Sequence, residues 1–383
     1  MNFQITQLIL IVINLLLLFV FLSTLVDQNS SSTSTSFIDT KSQNSLDQIK
    51  LPVNITEKVS SLKVAPHNQQ DRLKIFGDAC QRYRQSKGEL YWQEHIPPSN
   101  SPSDVVKTFK DKSEFLYYPK FQTAYCFPPK AGTTNWRRML TAIKLNMTID
   151  DLIKNTPLDI VYSSIPSMKV WRQKLGSKSN NPDIINFRKH KEVKHGVILG
   201  RHPLVRIHSA WAHRLSNSNP RHAKSFSRQI NLIKKSYERD GDFKQPEGIF
   251  VTLAGFIRFL TSSEAFGKYS NVHWMTVTDL CQPCEFGNFD HVFTTETADA
   301  DASEYMKEIG YDYVGPFPTA YGKDTAIGIN RGVQQTSDVV QHFKDIQNYY
   351  LKAVPKEILM DFKNKYFRWD FELFGYDLEG FVE

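Results

Sequence analysis

Positive charge is missing from the start of this chain, where no Lys or Arg precedes Lys41. The basic flank that orients a membrane segment and the basic n-region of a secretory leader are therefore both absent. No clear small-x-small cleavage site appears either. Only one long apolar run occurs, from Leu8 to Val26, interrupted by Asn14, Ser23 and Thr24; its roughly 19 residues just span a bilayer core. The run reads as a signal anchor behind a short tail of residues 1–7, with a cleaved signal peptide as the alternative. Cysteine is scarce: Cys80, Cys126, Cys281 and Cys284 are all there is. A zinc site needs four ligands at close spacing, and only Cys281-x-x-Cys284 has it, so no metal is expected. A redox Cys-x-x-Cys is disfavoured because the motif does not open a helix after a strand. An even number in a lumenal chain implies two disulfides, for which three connectivities are open. Internal repeats and heptad runs are also absent.

At 383 residues, with 40% hydrophobic and 13% aromatic residues, the chain can bury one sizeable core. Gln28 to Ser36 consists only of Ser, Thr, Asn and Gln, and polar composition continues to about residue 70. Such a segment buries too little apolar area to offset its ordering entropy. Residues 27–70 are thus read as a flexible stem and 71–383 as one folded domain. Asn29, Asn54 and Asn146 begin N-glycosylation sequons, which matter only in the lumen. The net charge of +7 gives a surface that steers polyanions. The lumenal setting removes nucleic acid and leaves acidic membrane or glycosaminoglycan. Arg188-Lys-His-Lys191 and Arg221-His-Ala-Lys224 are candidate acceptor contacts.

The most informative stretch is Tyr125-Cys-Phe-Pro-Pro-Lys-Ala-Gly-Thr-Thr-Asn-Trp-Arg-Arg-Met139. It joins a short apolar strand, a turn and a basic helix start. Amides in the first turn of a helix lack internal partners and carry the positive end of the dipole, so the turn is a phosphate cradle. Lys130 adds a mobile charge, Gly132 lets backbone approach a ligand, and the hydroxyls of Thr133 and Thr134 can rotate toward anionic oxygens. A nucleotide-triphosphate loop places its glycines before Gly-Lys-Ser/Thr. Here Lys130 precedes the glycine, which disfavours an ATPase or GTPase.

A second strand-to-helix unit follows at Gly196-Val-Ile-Leu-Gly-Arg-His-Pro-Leu-Val-Arg-Ile-His-Ser-Ala-Trp211. Val197 to Leu199 read as a buried strand, Arg201 stands at its end, Pro203 suits the first helical turn, and Ser209 lies about two turns on. Arg201 can grip a phosphate through its fork of N–H donors. Strands alternating with helices, and phosphate turns at strand ends, predict an α/β fold with a parallel sheet. Helical spacing is also read over Ile249 to Thr261 and over Lys356 to Phe371, as packing helices.

Together the two loops resemble those of sulfotransferases. The resemblance sharpens to the Golgi carbohydrate sulfotransferases of the chondroitin 4-O-sulfotransferase and HNK-1 type. It is carried by Cys80 in Asp-Ala-Cys-Gln-Arg, the core Pro129 to Arg138, the Arg-x-Pro unit, His273-Trp-Met-Thr-Val-Thr-Asp-Leu-Cys-Gln-Pro-Cys284, and the ending Asp370-Phe-Glu-Leu-Phe-Gly-Tyr376. It implies a P-loop-like sulfotransferase fold with a central parallel sheet flanked by helices, and a lumenal C-terminus. The implied donor is 3′-phosphoadenosine 5′-phosphosulfate (PAPS), held by Pro129, Lys130, Ala131, Gly132, Thr133, Thr134 and Asn135 at its 5′ end and by Arg201 and Ser209 at its 3′-phosphate. The implied acceptor is a glycosaminoglycan, with position 4 of N-acetylgalactosamine in chondroitin or dermatan the best guess. The chain departs from the family pattern at His202 and Val205, where acidic residues are usual, at Ala131 to Thr133, and at Val292 to Thr297. A non-catalytic glycan-binding relative is the alternative those departures keep open. Lys130 is placed to neutralise charge on the leaving oxygen, and His273 is the candidate base, with His202, His208 and His195 as alternatives. Arg137, Arg138 and Arg206 are assigned to phosphate or acceptor charge, and Trp136 to the core. Cys281 and Cys284 are expected to pin the loop carrying His273 against the core.

Overall fold

A computed structural model describes residues 68–86, 115–166, 193–216, 224–240, 250–262, 271–286, 289–311, 317–318 and 336–382. The apolar run Leu8 to Val26, the stem up to residue 67, the sequons at Asn29 and Asn54, and the basic clusters at Arg188 and Arg221, except Lys224, lie outside these residues; the last stem residues, Gln69 and Gln70, already belong to a helix. Among the described residues no helix is long and apolar enough to cross a membrane. All of them belong to one compact unit, Val53–Glu383.

Four short strands make one sheet in the order β1-β2-β3-β4. β1 (Phe115–Tyr118) pairs antiparallel with β2 (Thr123–Cys126). β2, β3 (His195–Gly200) and β4 (His291–Thr294) are mutually parallel. The expected parallel sheet therefore carries one antiparallel edge. A single 3-10 turn, Pro119–Phe121, joins β1 to β2, and so short a link only permits antiparallel pairing.

Side chains alternate across the sheet with period two, as pleating requires. Tyr125, Val197, Leu199 and Phe293 face one side. There they meet α2 (Thr133–Leu145), the short α3 (Ile149–Asn155) and α4 (Leu158–Ser164), and α10 (Ala298–Glu308). Cys126, Ile198 and Val292 face the other. That side is covered by α1 (Gln69–Ser86), α5 (Pro203–Arg214), α6 (Ser227–Asp240) and α7 (Leu253–Thr261). α8 (Val277–Cys281), α9 (Pro283–Phe286), α11 (Thr336–Ala353), α12 (Lys356–Asn364) and α13 (Arg368–Phe374) complete it. The architecture is a sheet between two helical layers, as the α/β reading expected. α7 starts later than its apolar spacing implied, because Thr252 caps it by accepting from the Gly255 amide at 3.2 Å. The stripe from Lys356 to Phe371 is two helices, broken where Lys365 takes φ −93°, ψ −98°.

Both disulfides cross this architecture. Cys80 on α1 joins Cys284, and Cys126 at the end of β2 joins Cys281. The close pair Cys281/Cys284 thus staples the block after His273 to a helix and to the central sheet, as the sequence expectation held. Asp370 of α13 reaches the same block and accepts from the amides of Val277 and Thr278 at 2.7 and 2.9 Å and from the Thr278 hydroxyl at 2.8 Å. The pair Arg72–Asp301, each 3% exposed, ties α1 to α10. Asp301 also accepts the Thr294 amide at 3.1 Å, fixing the end of β4.

Gly200 closes β3 under the Phe374 ring, where an added Cβ would fall 2.3 Å from Cδ1. Gly200→Ala is expected to destabilise the fold by about 1–3 kcal/mol through overpacking. A lowered urea midpoint at unchanged m-value checks this.

Candidate functional site

β2, β3 and β4 run in parallel and end at Cys126, Gly200 and Thr294 on one edge. Three connections therefore leave the sheet side by side, where ligands of open α/β sheets gather. The first runs from Phe127 to Gly132. Lys130 takes φ 72° and Gly132 φ 84°; for a lysine this left-handed backbone is costly and persists only where the surroundings over-determine it. They do so here. The Arg201 guanidinium donates to the Lys130 carbonyl at 2.7 Å. Arg206 Nε donates to the Pro129 carbonyl at 3.1 Å. The Thr133 hydroxyl donates back to the Pro128 carbonyl at 2.7 Å, and α2 then starts with the amides of its first turn at the loop.

The third connection locks the other two. Thr295 Oγ1 lies 3.0 Å from the Ala131 carbonyl and 3.2 Å from that of Gly200, so one hydroxyl bridges both anion-type turns. Beside it Glu296 accepts the His202 amide at 3.0 Å and the Tyr376 hydroxyl at 2.7 Å. Burial pushes the Glu296 carboxyl up, while these bonds and the nearby Arg201 oppose the rise. Of the residues expected here, Pro129, Lys130, Gly132, Thr133, Thr134, Asn135, Arg201 and Ser209 are half-buried, and Ala131 is buried under Thr295. Thr134 Oγ1 lies 2.6 Å from the Tyr162 hydroxyl. Ser209 sits two turns along α5 from Arg201.

Lys130 Nζ lies 2.7 Å from His213 Nδ1. Burial first, then the charges of Arg214 and Arg201, lower the Lys130 amine to about 7. Next to it, His273 shows its protonation by its partners. Asn271 Oδ1 accepts the His273 backbone N–H at 3.0 Å and lies 2.6 Å from Nδ1. That atom must be the amide oxygen, so Nδ1 carries the hydrogen and Nε2 the lone pair. Arg214 donates to Nε2 at 2.9 Å. Burial and then the cations Arg214 and Lys130 depress His273 to about 3, which keeps the ring neutral.

The alternative histidines are elsewhere. His202 is buried, its Nε2 2.9 Å from the Asp377 carbonyl and its ring stacked on Phe381. His208 packs against Trp211, Tyr349 and Tyr350. His195 stands at the opposite end of β3. Arg206 and Arg137 also depart from expectation. Arg206 is fully buried and spent on the Pro129 and Met275 carbonyls, and Arg137 donates to the Tyr162 carbonyl at 3.0 Å. Trp136 is core, stacked on Phe293. Four neighbours of Lys130 and His273 went unread in the sequence: His213, Arg214, Asn271 and Thr295. For His213 a signal existed, since it follows Ser209 by four residues and so shares its helix face. Among the described residues no group of three or more His, Cys, Asp or Glu is placed to hold a metal.

Lysine and arginine gathered at the carboxyl edge of a parallel sheet, where strands pass into helices, define an α/β protein with a cationic edge site. The chain belongs to the sulfotransferase family, whose sequence model matches residues 113–377. It is 27% identical over 260 residues to carbohydrate sulfotransferase 14 of Danio rerio, covering 66% of this chain and 59% of that protein. Mouse carbohydrate sulfotransferase 10 is 26% identical over 293 residues, covering 74% and 71%. Mouse carbohydrate sulfotransferase 12 is 26% identical over 214 residues, covering 53% and 49%. The chain thus spans about half to three fifths of the length of the zebrafish type 14 and mouse type 12 relatives. No solved structure matches it.

A lysine depressed to about 7 in the fold binds fewer protons there than in the unfolded chain, where it titrates near 10.4. Its charging therefore opposes folding fully below about pH 7 and progressively less as pH rises toward 10. Lys130→Met keeps the backbone strain and removes the charge. It is expected to raise the melting temperature by a few degrees at pH 6–7. The gain should shrink as pH rises from about 7 toward 10, as thermal melts at a series of pH values between about 6 and 10 would record.

Proposed function

We propose that this chain is a PAPS-dependent carbohydrate O-sulfotransferase of the Golgi, with residues 71–383 as its lumenal catalytic domain. In this reading it is a single-pass type II glycoprotein, held by Leu8 to Val26 and spaced from the membrane by residues 27–70. The acceptor is a glycosaminoglycan of the chondroitin or dermatan type, with position 4 of N-acetylgalactosamine as the target. The observation that carries the reading is the bond from Arg201 to the Lys130 carbonyl, which holds the two turns side by side and so supports a donor gripped by both.

The residues present fit such a donor. Burial first, and then the cations Arg214 and Arg201, depress the Lys130 amine, and an anion among those cations relieves their share of the repulsion. The 5′ end would meet the amides and side chains from Pro129 to Asn135, and the 3′-phosphate Arg201 and Ser209. The donor supplies a sulfonate on a phosphate oxygen, open to in-line displacement by a sugar hydroxyl. Lys130 neutralises the phosphate oxygen that receives the electron pair of the breaking S–O bond. His273 Nε2 takes the hydroxyl proton as the new S–O bond forms. For that, Arg214 must leave Nε2, since one lone pair cannot serve both.

The test uses the full chain purified in detergent. Calorimetry with 3′-phosphoadenosine 5′-phosphate reads donor binding, and radiolabelled transfer to desulfated glycans followed by disaccharide analysis reads the reaction. Absence of binding, or binding with transfer to no glycan, overturns the reading. Lys130→Ala is expected to lower transfer by about 10²–10³-fold, the cost of one preorganised charge. Arg201→Ala is expected to weaken nucleotide binding by about 10–100-fold. Because the free lysine titrates near 7 and a bound anion raises it, binding takes up a proton just above that pH. Affinity should fall as pH rises through 7–9, and Lys130→Ala should flatten that dependence.

A further inference from the structure

The mouth of the cradle carries an aromatic ring that neither anion turn accounts for. Tyr162 on α4 is 44% exposed, the behaviour of neither a core tyrosine nor an idle surface one, because its position is fixed at both ends. Its hydroxyl lies 2.6 Å from Thr134 Oγ1 in the first turn of α2. The Arg137 guanidinium, anchored on the Tyr162 carbonyl, sits 5.0 Å from the ring centroid. Two more guanidinium groups, Arg138 and Arg214, lie close enough to feel the phenol. Arg214 in turn touches His273 Nε2 and acts on Lys130. Ring and cradle are therefore joined through Thr134, and cations and candidate base through Arg214.

A pyranose presents an apolar face of C–H groups that packs on an aromatic ring, and a carboxylate pairs with a guanidinium in a fork. A ring already held in place loses little entropy when a ligand lands on it. We propose that Tyr162 and Arg214 form an acceptor subsite for an acidic saccharide, the ring carrying the sugar face and the guanidinium its carboxylate. The proposal rests on the carbohydrate sulfotransferase reading. It also supplies what the candidate base lacks. A carboxylate competes for Arg214 far better than a neutral imidazole does, so docking an acidic sugar releases the Nε2 lone pair where a hydroxyl arrives.

The test measures binding of the detergent-purified full chain, loaded with 3′-phosphoadenosine 5′-phosphate, to immobilised chondroitin, dermatan and heparosan. Each is presented native and carboxyl-reduced. The unaltered chain is expected to prefer a native glycan over its reduced form by about tenfold. Tyr162→Ala should lose roughly tenfold toward both forms while nucleotide affinity stays within about twofold. Tyr162→Phe, which keeps the ring but not its hydroxyl anchor, should lose no more than about threefold, and Arg214→Gln should erase the carboxylate preference. Binding by Tyr162→Ala equal to that of the unaltered chain, no carboxylate preference, or no binding to any of the three glycans overturns the subsite. Failure of the unaltered chain to bind the nucleotide is a separate readout, and it overturns the donor reading instead.

Discussion

Backbone carbonyls at the end of a sheet have to find donors, and in this protein that constraint shapes the site. Where β2 and β3 stop pairing, the carbonyls of Pro129, Lys130, Ala131 and Gly200 are met by side chains of Arg206, Arg201 and Thr295. A trans peptide aims its N–H opposite to its C=O. With the Pro129 and Ala131 carbonyls turned toward these donors, the amides of Lys130 and Gly132 turn away from them. A turn with satisfied acceptors and outward donors is what an anion requires. The left-handed lysine is one consequence of that arrangement, and the tolerance for glycine at 132 is another.

The same economy holds the acceptor side against the donor side. Arg206 is fully buried and bonds a carbonyl of the cradle loop and the carbonyl of Met275. It therefore fixes the distance between Lys130 and the block that carries His273. Behind that block Asp370 fills the amides that open α8, and two disulfides tie its far end to α1 and β2. Buried charges cost desolvation, which bonds to the surrounding groups offset; Arg206 makes two such bonds, through Nε and Nη2. Here the bonded atoms are main-chain groups of functional loops, so the charges set loop geometry rather than add stability alone.

Much of this was legible because it is local. Strand, turn and helix from Tyr125 to Met139 follow from residues within one turn of each other, and Val197 to Leu199 read as buried from apolarity alone. The antiparallel edge was missed because Phe115 to Tyr118 is a four-residue strand whose partner is announced only by the short turn at Pro119. The break in the stripe from Lys356 to Phe371 was missed because apolar spacing continues across it. Cysteine pairing, with partners 155 and 204 residues apart, leaves no trace in sequence order. His213 and Arg214 were overlooked for a similar reason. Their roles depend on the rotation of α5 about its axis, which brings His213 to a lysine 83 residues earlier.

The field that prepares the cradle for an anion also governs the candidate base. Burial, Arg214 and Lys130 hold His273 near 3, and an imidazole that weak draws a proton poorly from a hydroxyl. A bound anion changes this balance, because it cancels the cations that suppress the ring. In the proposed reaction His273 gains basicity when the cradle is filled, burial still opposing its charging, and its lone pair is released when Arg214 takes another partner. Two separate ligands are thus needed before the ring can act, one acting through charge at Lys130 and one through the guanidinium of Arg214. On that reading the base stays idle toward water while either ligand is missing.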